Sequence, residues 1–181
     1  MSVLTFGKHK GSDLKDIPSE YLEWGASKLD SPKWRKEFEQ ELSRRRSEKR
    51  RNYEWIKQNI NSPDVWVLLL KEAEKELNDE EEYALEIDCQ YDGRIISQKE
   101  VEELAKEKLA KYQAGIDLEV LDKSFMDKWG LSKKDIAAIQ DAWFCDSLQQ
   151  VCSSDEKFVA ANEFATKRND LICSINDVDL W

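Results

Sequence analysis

From Ser43 to Asn52 the chain runs for ten residues without a hydrophobic side chain: Ser-Arg-Arg-Arg-Ser-Glu-Lys-Arg-Arg-Asn. On either side the pattern is helical. Trp34, Phe38 and Leu42 recur every four residues before it, and Tyr53, Ile56 and Ile60 resume the stripe after it. Apolar residues at three- and four-residue intervals mark one face of an amphipathic helix. A helix whose stripe stops and restarts implies a solvated crossing between two packing surfaces. The division expected from this is a small N-terminal module over 1–43, a basic bridging helix over 44–60, and a third region over 61–181.

Charge follows the same division. Residues 1–60 hold 14 Lys and Arg against 10 Asp and Glu, whereas residues 61–181 hold 14 against 28, and the whole chain carries −10. A basic head on an acidic body is a hint about partners, which a chain average conceals. With 40% apolar residues, six glycines and three prolines in 181 residues, the chain can bury a core and does not read as loop-rich. The longest apolar run, Val65 to Leu70, has six residues, too few for a membrane span. Met1-Ser2-Val3-Leu4 shows no signal-peptide pattern, so a cytoplasmic protein with no membrane partner is expected. The cysteines Cys89, Cys145, Cys152 and Cys173 form no C-x-x-C pair and are expected to be reduced and mostly buried. With His9 the sole histidine, no metal centre and no cofactor are expected.

The predicted fold class is α+β, mainly α. Residues 2–7 read as a short strand, and Gly7 and Gly11 bracket a tight, hairpin-like loop. Pro18 opens a helix to about Ser27, and Ser31-Pro32 opens the next. Ser62-Pro63-Asp64 starts a helix containing Val65 to Leu70, and Asn78 to Glu82 reads as an acidic linker. Tyr83, Leu85, Ile87, Cys89 and Tyr91 then alternate with Ala84, Glu86, Asp88, Gln90 and Asp92, a strand pattern, with Asp92-Gly93 as a hairpin turn and a return strand to about residue 96. The same Asp88–Lys99 stretch imitates a calcium loop, but its twelfth position is Lys99 where a bidentate glutamate is needed. Capping boxes at Ser97/Glu100 and Ser132/Asp135 open helices, the first ending near Gly115 and the second near Gln150. Asp117 to Trp129 and residues 154–175 are further helices.

Three groups of residues are candidates for contact with a partner. Arg44, Arg45, Arg46, Lys49, Arg50 and Arg51 put six cations in eight residues, with Arg46, Lys49 and Arg50 on one side of a helix. Dense flexible cations are what phosphate binding requires, although most charge runs are plain solvated surface. Tyr53 and Trp55 lie a turn or more away, so stacking of bases is not visible in this run. Lys8, His9 and Lys10 form a second basic group. The third is the tail, where Asp177, Asp179, Leu180 and Trp181 combine carboxylates with a terminal aromatic, as in the acidic-then-apolar tips of bacterial single-strand-binding proteins.

Phe6-Gly7-Lys8-His9-Lys10-Gly11, followed by Leu14, Ile17-Pro18 and Tyr21-Leu22-x-Trp24, resembles a small bacterial and phage domain. It is known as the putative quorum-sensing-regulated virulence factor family, a version of which lies at the C-terminus of exodeoxyribonuclease X-like proteins. The resemblance covers residues 3–42 and implies a small α/β unit of the kind attached to nucleic-acid enzymes. It brings no nuclease, because the acidic metal-binding motifs of the exonuclease domain have no counterpart here. Gly25-Ala26 stands where family members often have another apolar residue. The function expected is that of a non-enzymatic, nucleic-acid-associated accessory protein of bacterial, plasmid or phage origin, binding DNA or RNA. The alternative is a protein-binding adaptor or inhibitor acting through the acidic body and the tail.

Overall fold

The structure, a computed structural model, describes residues 3–87 and 94–175. Among them are a 3₁₀ turn at Leu14–Asp16 and seven α-helices: α1 (Ser19–Lys28), α2 (Pro32–Asn59), α3 (Pro63–Ile87), α4 (Gln98–Trp129), α5 (Lys133–Phe144), α6 (Leu148–Val151) and α7 (Asp155–Ile175). The chain divides into two compact units within α2, between Glu54 and Trp55.

The first unit is a pair of helices closed by a loop. Leu4 N donates to Ser12 O (2.9 Å) and Gly11 N donates back to Leu4 O (2.7 Å), while Val3 and Asp13 form an isolated antiparallel bridge. The backbone turns through Gly7 at φ +72° and Gly11 at φ +94°, values that glycine adopts without steric cost. Asp13 caps the 3₁₀ turn by accepting from Lys15 N. Leu4, Leu14, Ile17, Leu22, Phe38 and Leu42 form the buried core, with Phe6, Tyr21 and Trp34 packed around it. Gly25 has a packing role rather than a conformational one. A β-carbon there would lie 2.1 Å from Cε2 of Phe38, a ring with no exposure. The missing methyl admits the ring, so the narrow face of α1 is the socket for α2.

The second unit is a stack of long helices. Glu76 of α3 pairs with Lys108 of α4 at 2.5 Å, and Glu81 pairs with Arg94 just before α4, so the two helices run antiparallel. Val65, Leu69 and Ala73 meet Val101 and Ala105 in their shared core, which Ile56 completes. On α4 and α7, Ala114 clusters with Ile175, Asp122 pairs with Arg168 at 2.9 Å, and Phe125 stacks on Phe164 at 4.1 Å. These positions again run in opposite order, which makes α7 antiparallel to α4. Two capping boxes, Ser97/Glu100 and Ser132/Asp135, open α4 and α5, and Gly130 in the left-handed conformation ends α4.

Several sequence expectations are corrected. The fold is helical among the described residues, not α+β, and no strand or hairpin is found. Asn78 to Glu82 is not a linker, and Tyr83 to Ile87 is not a strand; both continue α3. The physical reason is cooperative. Once α3 is nucleated, each further residue adds a hydrogen bond, and Glu, Ala and Leu favour helix over strand. Asp88 to Gly93, and with them the proposed turn and most of the calcium-loop positions, lie outside the described residues. Val3 and Leu4 form one bridge rather than a strand. Gly115 does not end α4, since it is buried in mid-helix beside Ala114 on the stretch that meets α7. The helix from Ser132 stops at Phe144, and Asp146 takes a positive φ of 52° before α6. Cys145 and Cys173 are exposed and Cys152 half-buried, against the expectation of burial.

The socket at Gly25 makes a direct prediction. Gly25→Ala gains up to about 1 kcal/mol of helix propensity. It also forces the buried Phe38 ring to move, and overpacking of this kind costs about 1–3 kcal/mol. The expected outcome is a net loss of stability in the first unit, read as an earlier urea transition, with Phe38→Leu partly restoring the double variant.

Candidate nucleic-acid interface

The arginine run lies wholly on α2, and its six cations have different fates. Arg45 is the most constrained. Its Nη2 donates to the carbonyls of Leu14 (3.0 Å), Lys15 (2.9 Å) and Ile17 (2.8 Å), its Nη1 to Ser19 Oγ (2.9 Å) and its Nε to Glu41 Oε1 (3.0 Å). The planar fork thereby closes the 3₁₀ turn and the start of α1 onto α2. Its role is internal. No lysine reproduces that geometry, because an ammonium is a single point with three donors.

Arg44 is shared between Glu41 and Glu48, with contacts of 2.8 Å to each. Glu41 thus receives two guanidinium groups. Hydrogen bonds from Arg44, the larger influence, and from Arg45 hold its carboxyl at about 2, against an ordinary 4.5, in spite of an opposing effect of burial. Arg46 lies 4.0 Å from Glu23 of α1, both side chains being largely exposed. Lys49 is exposed. Arg50 and Arg51 are exposed and make no ion pair with a described carboxylate.

The second basic group is held beside α1. Tyr21 fills the space above Gly7, where a β-carbon would fall 2.3 Å from the phenol oxygen. The His9 ring meets the Tyr21 ring edge-on at 4.7 Å, and Tyr21 meets Trp24 at 5.4 Å. Lys8 and Lys10, on either side of His9, are exposed. Trp24 ends this row of rings with 49% of its surface in solvent. The motif from Phe6 to Trp24 therefore leaves one large aromatic on the surface, linked through Tyr21 and His9 to a basic loop. The signal was present in the spacing: Tyr21 and Trp24 are three residues apart, while buried Leu22 and Gly25 define the inner face of the helix.

Asp177, Asp179, Leu180 and Trp181 lie outside the described residues. In the second unit, Glu72, Lys75, Glu76, Asp79, Glu80 and Lys108 line an open depression along α3 and α4. Burial pushes the Glu72 carboxyl up, and burial together with the Glu72 charge raises Tyr112 to about 12. No three His, Cys, Asp or Glu side chains among the described residues are placed to hold a metal ion. No described helix is long and apolar enough to cross a membrane. No protein-family model, curated protein or solved structure matches the chain significantly.

Two predictions separate clamp from surface. Arg45→Lys removes charged hydrogen bonds to partly buried carbonyls and is expected to cost about 1–3 kcal/mol. Arg50→Gln and Arg51→Gln alter exposed positions and should stay within about 0.5 kcal/mol of the parent in denaturant unfolding. The second concerns pH. Because the folded-state pKa of Glu41 is depressed, its stabilisation is complete above 4.5 and is lost as pH falls toward about 2. Between about pH 5 and pH 2 the parent should lose more stability than Glu41→Gln, the difference isolating this carboxylate from the others that titrate there.

Proposed function

We propose that the protein is a non-enzymatic, nucleic-acid-associated accessory protein whose first unit contacts phosphates. The observation that carries the reading is the partition within the arginine run. Arg44 and Arg45 are engaged by carboxylates and carbonyls, whereas Arg50 and Arg51 stand exposed on the same helix without a described acidic partner. Flexible unpaired guanidinium groups release counter-ions from a polyanion, and the exposed Lys8 and Lys10 add to the same field. The resemblance of residues 3–42 to a domain found beside nucleic-acid enzymes supports the reading. So does the division of charge, because the net −14 of residues 61–181 repels a polyanion and favours its approach to the basic head.

The test is a titration of duplex DNA and of RNA against salt. Each phosphate contact adds about 0.9 to the slope of log affinity against log salt for duplex DNA. Arg50→Gln with Arg51→Gln should therefore flatten the slope by about 2 and weaken binding without sequence preference. A flat salt dependence, or no binding to any DNA or RNA, removes the proposal.

A further inference from the structure

We infer that the first unit takes single-stranded nucleic acid, with one base stacked on the exposed face of Trp24 and the neighbouring phosphates met by Lys8 and Lys10. The inference rests on the nucleic-acid reading and adds to it the form of the ligand. Three observations combine. Trp24 keeps about half of its surface in solvent although it belongs to a helix that buries its opposite side completely at Leu22. Its other neighbour is a ring: Tyr21 at 5.4 Å and tilted by 40°, itself backed by His9. The indole thus has a ring partner at one flank and about half of its surface open to solvent, where a base can be received. The cations are placed by the loop, whose seat against Tyr21 is fixed by the methyl-free Gly7.

Charge argues for a nucleic acid over an apolar partner. The loop that reaches this row of rings through His9 carries two exposed lysines, Lys8 and Lys10, which attract a polyanion. Glu20 and Glu23, exposed on α1, confine the path of the strand. Glu23 is drawn toward Arg46, and Glu20 lies one turn before Trp24, so the phosphates pass on the loop side. A duplex offers no free base face along its length, whereas every unpaired base has one. The preference that follows is for single strands with little regard to sequence, which DNA and RNA share.

The experiment compares an oligo-dT strand, an oligo-rU strand and a duplex of equal length on the full chain. Loss of one stacked base weakens binding about five- to a hundredfold. Trp24→Ala should therefore weaken both single strands by at least about fivefold and leave the duplex nearly unchanged, while Trp24→Phe retains most of the affinity. Lys8→Gln with Lys10→Gln should lower the salt slope for the strands. As a second readout that does not depend on a variant's folding, a strand carrying 5-bromouracil should photo-crosslink within residues 21–24. If the parent binds neither strand nor duplex, the nucleic-acid reading itself fails. If it binds strands and duplex alike, and Trp24→Ala alters both equally or neither, that reading stands and the stacking inference is overturned. A crosslink mapped elsewhere has the same consequence. A requirement for ribose in place of deoxyribose identifies RNA as the source, and equal binding identifies the shared chemistry.

Discussion

The first unit depends on a single guanidinium. Its core is small, six buried residues with a few half-buried neighbours, and its N-terminal segment contributes one bridge and no regular strand. Its 3₁₀ turn presents the carbonyls of Leu14, Lys15 and Ile17 toward α2, of which Leu14 O also accepts from Ile17 N. Arg45 supplies the donors. Three of its five acceptors are backbone carbonyls between Leu14 and Ile17, and a fourth is the hydroxyl of Ser19, the first residue of α1. An arginine suits this because it stays charged and its donors lie in one plane, so a convergent set of acceptors can be met with little reorganisation. Glu41, one turn earlier on α2, fixes the fork from behind.

This clamp changes the meaning of the basic run. A cluster of six cations in eight residues invites reading as one electrostatic patch. In the fold it is a sequence of distinct jobs determined by angle around α2. The side facing the 3₁₀ turn carries Arg45 and Leu42; a second side pairs Arg44 with Glu41 and Glu48; and the remainder is open to solvent. The ten-residue polar gap is therefore only partly a gap. Arg45 stands in the packing stripe where an apolar residue would otherwise be, and its aliphatic stem and bonded head substitute for hydrophobic contact.

How much of this could be read from the residues divides along a physical line. Features determined by neighbouring residues were legible: the two capping boxes, the proline-opened helices, the stripe of Trp34, Phe38 and Leu42, and the glycine-bracketed loop. Features determined by a distant partner were not. The period-two pattern of Tyr83, Leu85 and Ile87 is compatible with a strand taken alone, but these residues inherit the helix begun twenty residues earlier. Gly115 looks like a stop by propensity, yet it sits buried on the stretch of α4 that meets α7. The identity of Arg45 as a clamp was hidden for the same reason, since four of its acceptors lie 26 to 31 residues away. For the candidate site, the basic positions were legible from composition. The exposed Trp24 was not, because aromatic residues in a small motif are by default assigned to its core.

That last failure bears on function. In a unit with so few buried residues, an aromatic is worth more inside than outside, and leaving about half of a tryptophan in water forgoes burial that the small core could use. Tyr21 shows the alternative within one turn: it packs on the core, seats the loop at Gly7 and touches His9. Trp24 meets Tyr21 and keeps about half of its surface in solvent. The loop that sets His9 on Tyr21 carries exposed Lys8 and Lys10, and α1 itself bears the exposed carboxylates Glu20 and Glu23. On the proposed reading, the exposed indole beside Tyr21 is a surface for a base and the loop lysines and outer arginines of α2 are its positive field, while the inner face of α2 is committed to holding the unit together.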